Sequence, residues 1–184
     1  FALHSMRTPE LSRLYIQVSP ADEIEQWPDE RIWHELHLRL EIPGWSLREG
    51  PVLEKGITAM RSYVYEPIQY GRLYLAGDAA HLVPPTGAKG LNLAVADVHV
   101  LAHALSAWYE SGSTEQLERY SDTCLRRVWR AEHFSWYMTS MLHRFEEDDG
   151  GYQQRLQISQ LRYVCSSRAA ATSLAENYVG LEHV

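Results

Sequence analysis

The sequence GRLYLAGDAAHLVPPTGAKGLN, from Gly71 to Asn92, carries the strongest signals in the chain. Its residues 73–76 are apolar and predict a short buried strand, which Gly77-Asp78 ends. The loop at residues 84–87 holds two prolines and a glycine, so we expect no regular structure there. A helix is predicted from residue 91 to about residue 110, before Ser111-Gly112-Ser113. The order is therefore strand, loop and helix N-terminus.

The loop and the helix N-terminus have the properties of a ligand site. A helix N-terminus offers unpaired N–H groups and the positive end of the dipole, which suit an anionic or electron-rich ligand. Gly87 and Gly90 would let a flat ligand approach the backbone, and the Asp78 carboxylate would accept from a sugar or polyol hydroxyl. For Gly77-Asp78 alone, an ordinary capped connection remains the alternative. One apolar face of the predicted helix comprises Val98, Leu101, Leu105 and Trp108.

Composition limits the class of protein. The chain has 184 residues, enough for one core or part of a larger one. A net charge of −7 argues against general nucleic-acid binding, which needs a basic surface. We find no signal peptide and no apolar run near the roughly 20 residues of a membrane span, so no membrane partner is expected. Cys124 and Cys165 lack CxxC spacing and are expected to be free thiols in the cytoplasm.

Several motifs together resemble the aromatic-ring flavin monooxygenases. The resemblance lies in Gly77-Asp78-Ala79-Ala80-His81 and in Pro84-Pro85-Thr86-Gly87-Ala88-Lys89-Gly90-Leu91-Asn92. It continues in Glu118-Arg-Tyr, Arg126-Arg127, Phe134-Ser-Trp-Tyr-Met-Thr-Ser140 and Ala175-Glu-Asn-Tyr-Val-Gly-Leu181, and so spans nearly the whole chain. It implies an α+β or α/β fold, the C-terminal part of a Rossmann-like, FAD-binding monooxygenase with a substrate-binding β-sheet and C-terminal helices.

The resemblance also implies a division into three segments. Residues 1–70 would belong to the substrate-binding sheet domain, residues 71–110 to the FAD-binding domain, and residues 111–184 to a C-terminal helical region. The sequence contains no GxGxxG fingerprint, whose βαβ unit of about 30 residues would hold the FAD pyrophosphate. It also begins at Phe1 without a methionine. We therefore expect a C-terminal part of a longer protein, which would not turn over substrate by itself.

Two strands are predicted at the N-terminus, over residues 1–7 and 13–18. Side chains alternate across a strand, so pairing of the two would bring Ser5, Arg7 and Tyr15 onto one patch. A guanidinium flanked by hydroxyl groups can clamp a carboxylate, although a surface hairpin with an exposed arginine fits the pattern alone. By resemblance, these three residues hold the carboxylate of 4-hydroxybenzoate.

The implied reaction is hydroxylation of 4-hydroxybenzoate to 3,4-dihydroxybenzoate by O2, with FAD as cofactor and NADPH or NADH as co-substrate. Tyr178 would belong to the relay that removes the phenolic proton of the substrate. Pro85 and Thr86 would lie beside the reacting ring. Arg61 corresponds to an arginine implicated in NADPH binding, although a solvated arginine fits equally well.

The cofactor-binding residues implied by the resemblance surround the same loop. The backbone N–H groups of Leu91 and Asn92 would stabilise negative charge on the flavin, and Lys89 would add positive potential. The remaining members of the predicted cofactor site are Asp78, Pro85, Gly87 and Gly90. The resemblance also implies a homodimer.

Three other functions remain open. A related flavin monooxygenase could act on another phenol or an aminobenzoate, and this segment could be a non-catalytic flavin-binding module. The third is a zinc hydrolase built on two histidine pairs, His34/His37 and His99/His103. Neither pair has an evident third ligand nearby, so solvated histidines are the better interpretation.

The rest of the chain is predicted as mainly helical. Residues 22–40 predict a helix with Pro28 near its start, and residues 55–65 predict one or two strands. Thr114 is the predicted N-cap of a further helix, whose apolar residues from Leu117 to Leu142 suit a core or a dimer contact. An acidic turn follows at residues 146–151. Two last helices are predicted over residues 153–163 and 166–177, with Tyr178 just beyond the second.

Overall fold

The computed structural model describes residues 1–145 and 151–180 and combines short antiparallel strand pairs with long helices. It contains two compact units, Phe1–Ala59 and Met60–Val184. The family-based division at residues 70 and 110 stays a prediction. Most of the predicted acidic turn, at residues 146–150, and Leu181 lie outside the described residues.

The first unit opens with the predicted hairpin, which is confirmed. Strand β1 (Ala2–Met6) pairs antiparallel with β2 (Ser12–Ile16). In this register Leu3 lies opposite Tyr15 and Ser5 lies opposite Arg13. Because residues i and i+2 of a strand share a face, Ser5 and Tyr15 lie on the same side of the hairpin.

The helix predicted over residues 22–40 begins later than expected. A 3-10 turn covers Ile24–Gln26, and helix α1 covers only Asp29–Leu40. Pro28 occupies the N-cap position, and its ring disfavours a helical conformation in the preceding residue, so the earlier segment cannot join α1. Arg39 in the last turn donates from Nη1 to the carbonyl oxygens of Phe1 at 3.2 Å and Gln17 at 2.7 Å. These bonds attach α1 to the first and last residues of the hairpin region, which lie together at its open end.

The strands of the second unit are much shorter than predicted. Strand β3 (Tyr63–Val64) pairs with β6 (His81–Leu82), and β4 (Gln69–Tyr70) pairs with β5 (Leu73–Tyr74), all antiparallel. The buried strand predicted at residues 73–76 is therefore wrong in length and burial, since Leu73 is 59% exposed. The backbone at Gly71, with φ of +57°, folds β5 back onto β4. The strand predicted at residues 55–65 shrinks to β3, which is the part of it that pairs in register with β6.

Helix α2 (Gly90–Ser111) confirms the long helix predicted after the loop. It ends at Gly112, whose φ of +74° forms a left-handed C-cap. Its buried residues are Leu93, Asp97 and Ala104. The apolar face predicted from the sequence is only partly buried, because Leu101 packs against the core while Val98 is 59% exposed and Trp108 is 40% exposed. Apolar residues surround most of α2, so periodicity alone could not identify which face packs.

By length and composition alone, α2 could also cross a membrane. Its most apolar 18-residue window has a mean hydropathy of 1.2. The expectation that no apolar run approaches the length of a membrane span was therefore wrong for these residues. A core helix in a protein without membrane spans can have the same length and composition, so we do not assign α2 as a membrane span.

The described residues of the second unit also form α3 (Glu115–Glu118), α4 (Tyr120–Leu142), α5 (Tyr152–Ser166) and α6 (Arg168–Val179). Thr114 precedes α3, but its hydroxyl donates to Glu118 Oε1 at 2.7 Å instead of capping a backbone N–H. Its φ of −97° and ψ of −6° are helical, whereas a capping side chain needs an extended backbone. The two last helices are confirmed with shifted bounds, and Tyr178 lies inside α6, not beyond it.

The core of the second unit is built on α4. Its buried residues include Tyr120, Cys124 and Val128, whose spacing of four places them on one face. The Tyr120 hydroxyl donates to the carbonyl oxygen of Leu75 at 2.7 Å, which attaches α4 to the segment that follows β5. The predicted apolar series is therefore partly core, while Trp129 and Trp136 are exposed.

The two thiols are expected to differ in reactivity. Burial, reinforced by the charge of Asp97, raises the pKa of Cys124 to about 12, while Cys165 is exposed. Since the thiolate is the nucleophile, one thiol per native chain should react with a disulfide reagent at pH 8, and two should react after unfolding. Cys165→Ser should abolish the native reaction. Two rapidly reacting thiols in the native protein would contradict the burial of Cys124.

Candidate functional site

An open cleft of about 430 Å³ lies where the loop of residues 82–89 meets the N-terminus of α2. Its lining residues are Asp78, Leu82, Val83, Pro85, Ala88, Lys89, Gly90 and Leu91. Five of the residues predicted to bind a cofactor therefore share one cavity: Asp78, Pro85, Lys89, Gly90 and Leu91. Their roles in binding stay predictions.

The N-terminus of α2 is open towards a ligand. No side chain caps it, so the N–H groups of Gly90, Leu91 and Asn92 remain available in the first turn. A Cβ added to Gly90 would meet no heavy atom closer than Val83 Cγ2 at 3.9 Å, so the backbone is accessible there. The exposed Asp78 adds a carboxylate to the same cleft. The cleft thus offers several donors and one strong acceptor, which suits a ligand carrying both an electron-rich edge and hydroxyl groups.

The loop beside the cleft packs tightly on α4. Residues Pro85–Gly87 form a 3-10 turn, which corrects the prediction of no regular structure there. A Cβ on the buried Gly87 would lie 2.5 Å from Ser135 Oγ and 3.3 Å from Phe134 Cδ1. The missing side chain of Gly87 therefore lets α4 approach the loop, a role that the sequence did not indicate. The Thr139 hydroxyl donates to that of Thr86 at 2.9 Å and holds the loop on the same helix.

Lys89 joins the cleft to the last helix. Its ammonium group donates to the carbonyl oxygen of Tyr178 and lies 5.4 Å and 5.7 Å from the ring centroids of Phe134 and Tyr178. The two rings pack edge to face with centroids 6.2 Å apart. Burial lowers the pKa of Lys89. The structure therefore brings Tyr178, the predicted member of the proton relay, against a residue that lines the cleft.

Sequence analysis did not identify a buried histidine–carboxylate pair that lies behind the cleft. His81 Nε2 and Asp97 Oδ2 are 2.6 Å apart, and each side chain is 1% exposed. The same carboxylate oxygen accepts a hydrogen bond from the backbone N–H of Gly77 at 3.0 Å. The available signal was a single aspartate in the middle of an otherwise apolar helix.

A second buried carboxylate lies on α4. Ser62 Oγ donates to Glu132 Oε2 at 2.7 Å, and Glu132 is 6% exposed. Burial raises the pKa of Glu132, and the hydrogen bond from Ser62 and the charge of His81 partly oppose that shift. Together with His81 and Asp97, this carboxylate places three buried polar side chains behind the cleft.

In the first unit, Arg7 and Tyr15 come together as predicted. Arg7 Nη2 donates to Tyr15 Oη at 3.1 Å, and the guanidinium is exposed. Ser5 lies on the same face of the hairpin through the strand register. The Arg13 guanidinium carbon stands 5.2 Å from the centroid of the Tyr15 ring and adds a second positive charge to this patch. The patch is therefore cationic and carries hydroxyl groups, which suits a carboxylate.

The remaining candidate residues do not assemble into a site. Arg61 is exposed in the second unit. Over residues 1–145 and 151–180, no three potential metal ligands form a group. His37 instead pairs with Glu49 at 3.0 Å, and His103 Nδ1 lies 2.8 Å from the carbonyl oxygen of His99. The zinc hydrolase therefore gains no support.

Comparison with known proteins assigns the chain to a family. Residues 1–135 match the FAD binding domain family. The chain is 50% identical over all 184 residues to p-hydroxybenzoate hydroxylase of Acinetobacter baylyi, covering 45% of that protein. It is 38% identical over 85 residues to tetracenomycin A2 monooxygenase-dioxygenase of Streptomyces glaucescens, which is 45% of this chain and 14% of that protein. Over 52 residues, 28% of this chain, it is 50% identical to para-nitrophenol 4-monooxygenase of a Pseudomonas species, covering 13% of that protein.

The chain thus spans less than half the length of these curated relatives. The family match covers most of the chain and includes both the hairpin and the loop that lines the cleft. This chain belongs to the FAD binding domain family.

Proposed function

We propose that this chain forms part of an enzyme that hydroxylates 4-hydroxybenzoate to 3,4-dihydroxybenzoate, using FAD, NADPH or NADH, and O2. The observation that carries the proposal is the cleft in which Asp78 and the open N-terminus of α2 face the same space. Similarity over the whole of this chain to a relative named p-hydroxybenzoate hydroxylase supports the substrate. The proposal includes a Rossmann-like arrangement of the complete FAD-binding domain.

The residues of the cleft fit FAD. The accessible backbone at Gly90 leaves room for a flat ring, and the Asp78 carboxylate can accept from hydroxyl groups of the cofactor. The N–H groups of Leu91 and Asn92, with Lys89, favour a ligand edge that carries negative charge. Pro85 and Thr86 would stand beside the reacting ring, with the backbone of Gly87 close to the cofactor. When bound, FAD would supply the oxygen-activating chemistry that these side chains lack.

The hairpin would bind the substrate through its carboxylate. Arg7 would form a charged hydrogen bond to it, while Ser5 and Tyr15 would donate from their hydroxyl groups. Holding this end of the substrate determines which ring carbon is presented for hydroxylation. Tyr178 would pass on the phenolic proton, because a phenolate ring is more nucleophilic than a phenol. Arg61 would contribute a positive charge to NADPH binding.

We also propose a homodimer in the cytoplasm, as the resemblance implies. The exposed Trp129 and Trp136 of α4 give this helix apolar surface of the kind that subunit contacts bury. Cytoplasmic location is consistent with free thiols at Cys124 and Cys165.

The function is tested by assaying the complete native protein of which this chain forms part, purified and supplied with 4-hydroxybenzoate, 4-aminobenzoate and 4-nitrophenol as separate substrates. NADPH oxidation is followed by absorbance, and the aromatic product is identified by chromatography. We expect 3,4-dihydroxybenzoate in an amount equal to the NADPH consumed, and much slower turnover of the other two. Efficient hydroxylation of 4-nitrophenol alone would favour the alternative of a related flavin monooxygenase that acts on another phenol. FAD binding without any product would favour the alternative of a non-catalytic flavin-binding module.

A further inference from the structure

The Asp97 carboxylate connects three parts of the second unit that surround the cleft. One of its oxygens, Oδ2, contacts His81 Nε2 at 2.6 Å and the N–H of Gly77 at 3.0 Å. Gly77 begins the 3-10 turn that carries Asp78, His81 begins β6, and Asp97 itself lies on α2. A single buried atom therefore joins the turn, the strand and the helix.

The turn that carries Asp78 is held against α2 at this point. The backbone of Gly77 has a φ of +61°, and an added Cβ would lie 3.1 Å from the Cβ of Ala94. The hydrogen bond to Asp97 thus acts on a turn that already packs closely on the helix. Asp78 follows directly and lines the cleft together with Leu91 from the first turn of the same helix. The relative position of these two ligand-facing groups depends on how the turn is attached.

A carboxylate is an energetically unfavourable group to place in a protein interior unless its oxygens are hydrogen-bonded. No N–H or O–H donor of the described chain reaches Asp97 Oδ1, although the weakly donating thiol of Cys124 also contacts this carboxylate. Apolar side chains of similar volume often fill such a position with equal or greater stability than buried polar groups do. Packing alone therefore does not explain a carboxylate at this position.

We propose that Asp97 is a positioning residue of the cleft: by holding the Gly77 N–H and His81, it fixes the Asp78 carboxylate relative to the first-turn N–H groups of α2. A ligand with hydroxyl groups and an electron-rich edge is then bound at both places at once. The inference deepens the proposed function, on which the identity of this ligand as FAD rests. Asp97 acts through Asp78 and does not touch the ligand.

A double-mutant cycle tests the coupling, with FAD binding to the purified native protein measured by fluorescence titration. Asp97→Ala and Asp78→Asn should each raise the Kd for FAD by about tenfold or more, the loss expected for a hydrogen bond to a charged group. The double variant should bind FAD about as weakly as either single variant. Once Asp97→Ala has displaced Asp78, its carboxylate no longer contributes to binding, so replacing it changes the Kd little. Asp97→Asn keeps an oxygen for the Gly77 N–H and should recover most of the affinity. Fully additive losses would overturn the proposal.

Ser121→Ala is the matched control for a general loss of structure. Ser121 Oγ accepts from the N–H of Ile68 at 3.2 Å, so this variant also removes a buried acceptor from a loop amide. We expect it to lower Tm without changing the Kd for FAD. An equal rise in Kd for Ser121→Ala and Asp97→Ala would mean that Asp97 has only a structural role.

Hydrogen exchange of the Gly77 amide gives a second readout that needs no ligand. Asp97→Ala should accelerate exchange there, and Ser121→Ala should not. Unchanged exchange in Asp97→Ala would overturn the proposal whatever the protein binds. A native protein that protects this amide through Asp97 but does not bind FAD would contradict the proposed function and leave the attachment of the turn established.

Discussion

The KM for 4-hydroxybenzoate is expected to rise by about 10- to 100-fold when Arg7 is replaced by alanine. In the hairpin, Arg7 Nη2 donates to Tyr15 Oη at 3.1 Å, and the exposed guanidinium retains further N–H groups for a ligand. A hydrogen bond between charged groups contributes about 1.5–3 kcal/mol, and each 1.4 kcal/mol corresponds to about tenfold in affinity. The measurement is steady-state NADPH oxidation by the native enzyme at varied 4-hydroxybenzoate.

Two further variants separate charge from geometry. Arg7→Lys keeps the positive charge but loses the planar fork of the guanidinium, so its KM should lie between those of the native protein and Arg7→Ala. Arg31 is a matched control, because it is also an exposed arginine of the first unit, with its guanidinium carbon 4.0 Å from the centroid of the Trp27 ring. Arg31→Ala should leave KM unchanged. An unchanged KM in Arg7→Ala would remove the carboxylate clamp from the proposed function.

Gly87→Ala is expected to lower the free energy of unfolding by about 1–3 kcal/mol, the usual cost of overpacking a close-packed interior. The added methyl group would stand 2.5 Å from Ser135 Oγ and 3.3 Å from Phe134 Cδ1. Either the loop must move away from α4 or the side chains of α4 must move. Urea denaturation of the native and variant proteins, followed by circular dichroism, measures the difference.

A compensating change identifies the contact responsible. Ser135 Oγ is buried and has no hydrogen-bond partner in the described chain, so Ser135→Ala should cost little by itself. Combined with Gly87→Ala, it should restore most of the lost stability, because the closest clash involves that oxygen. Gly56→Ala is the control, since a Cβ there meets nothing within 4 Å. A Gly87→Ala protein as stable as Gly56→Ala would show that the loop is not packed tightly on α4.

Local signals in the sequence predicted the long helix and the hairpin. Gly112 marked the end of α2, and strand alternation was enough to bring Arg7 next to Tyr15. Both features depend on residues close in the chain. The cleft at the start of α2 was predicted for the same reason, because one continuous loop supplies its lining.

Features that depend on long-range packing could not be predicted in this way. Periodicity did not indicate that α2 buries Asp97 while leaving Val98 exposed, because that choice depends on α4 and on the turn at Gly77. The lengths of β3 and β5 are set by pairing with β6 and β4, and the sequence of one strand does not show how many of its residues will pair. Gly87 has a packing role for a related reason, since Ser135 is 48 residues further along the chain.

The packing of the loop on α4 has a thermodynamic consequence for binding. Ordering a flexible loop around a ligand costs conformational entropy, which reduces the affinity. Here Thr86 is held by Thr139, and Gly87 lies against Ser135, with the protein alone supplying these contacts. The surface that faces the ligand is therefore preorganised, and association should proceed with little entropic penalty from this loop.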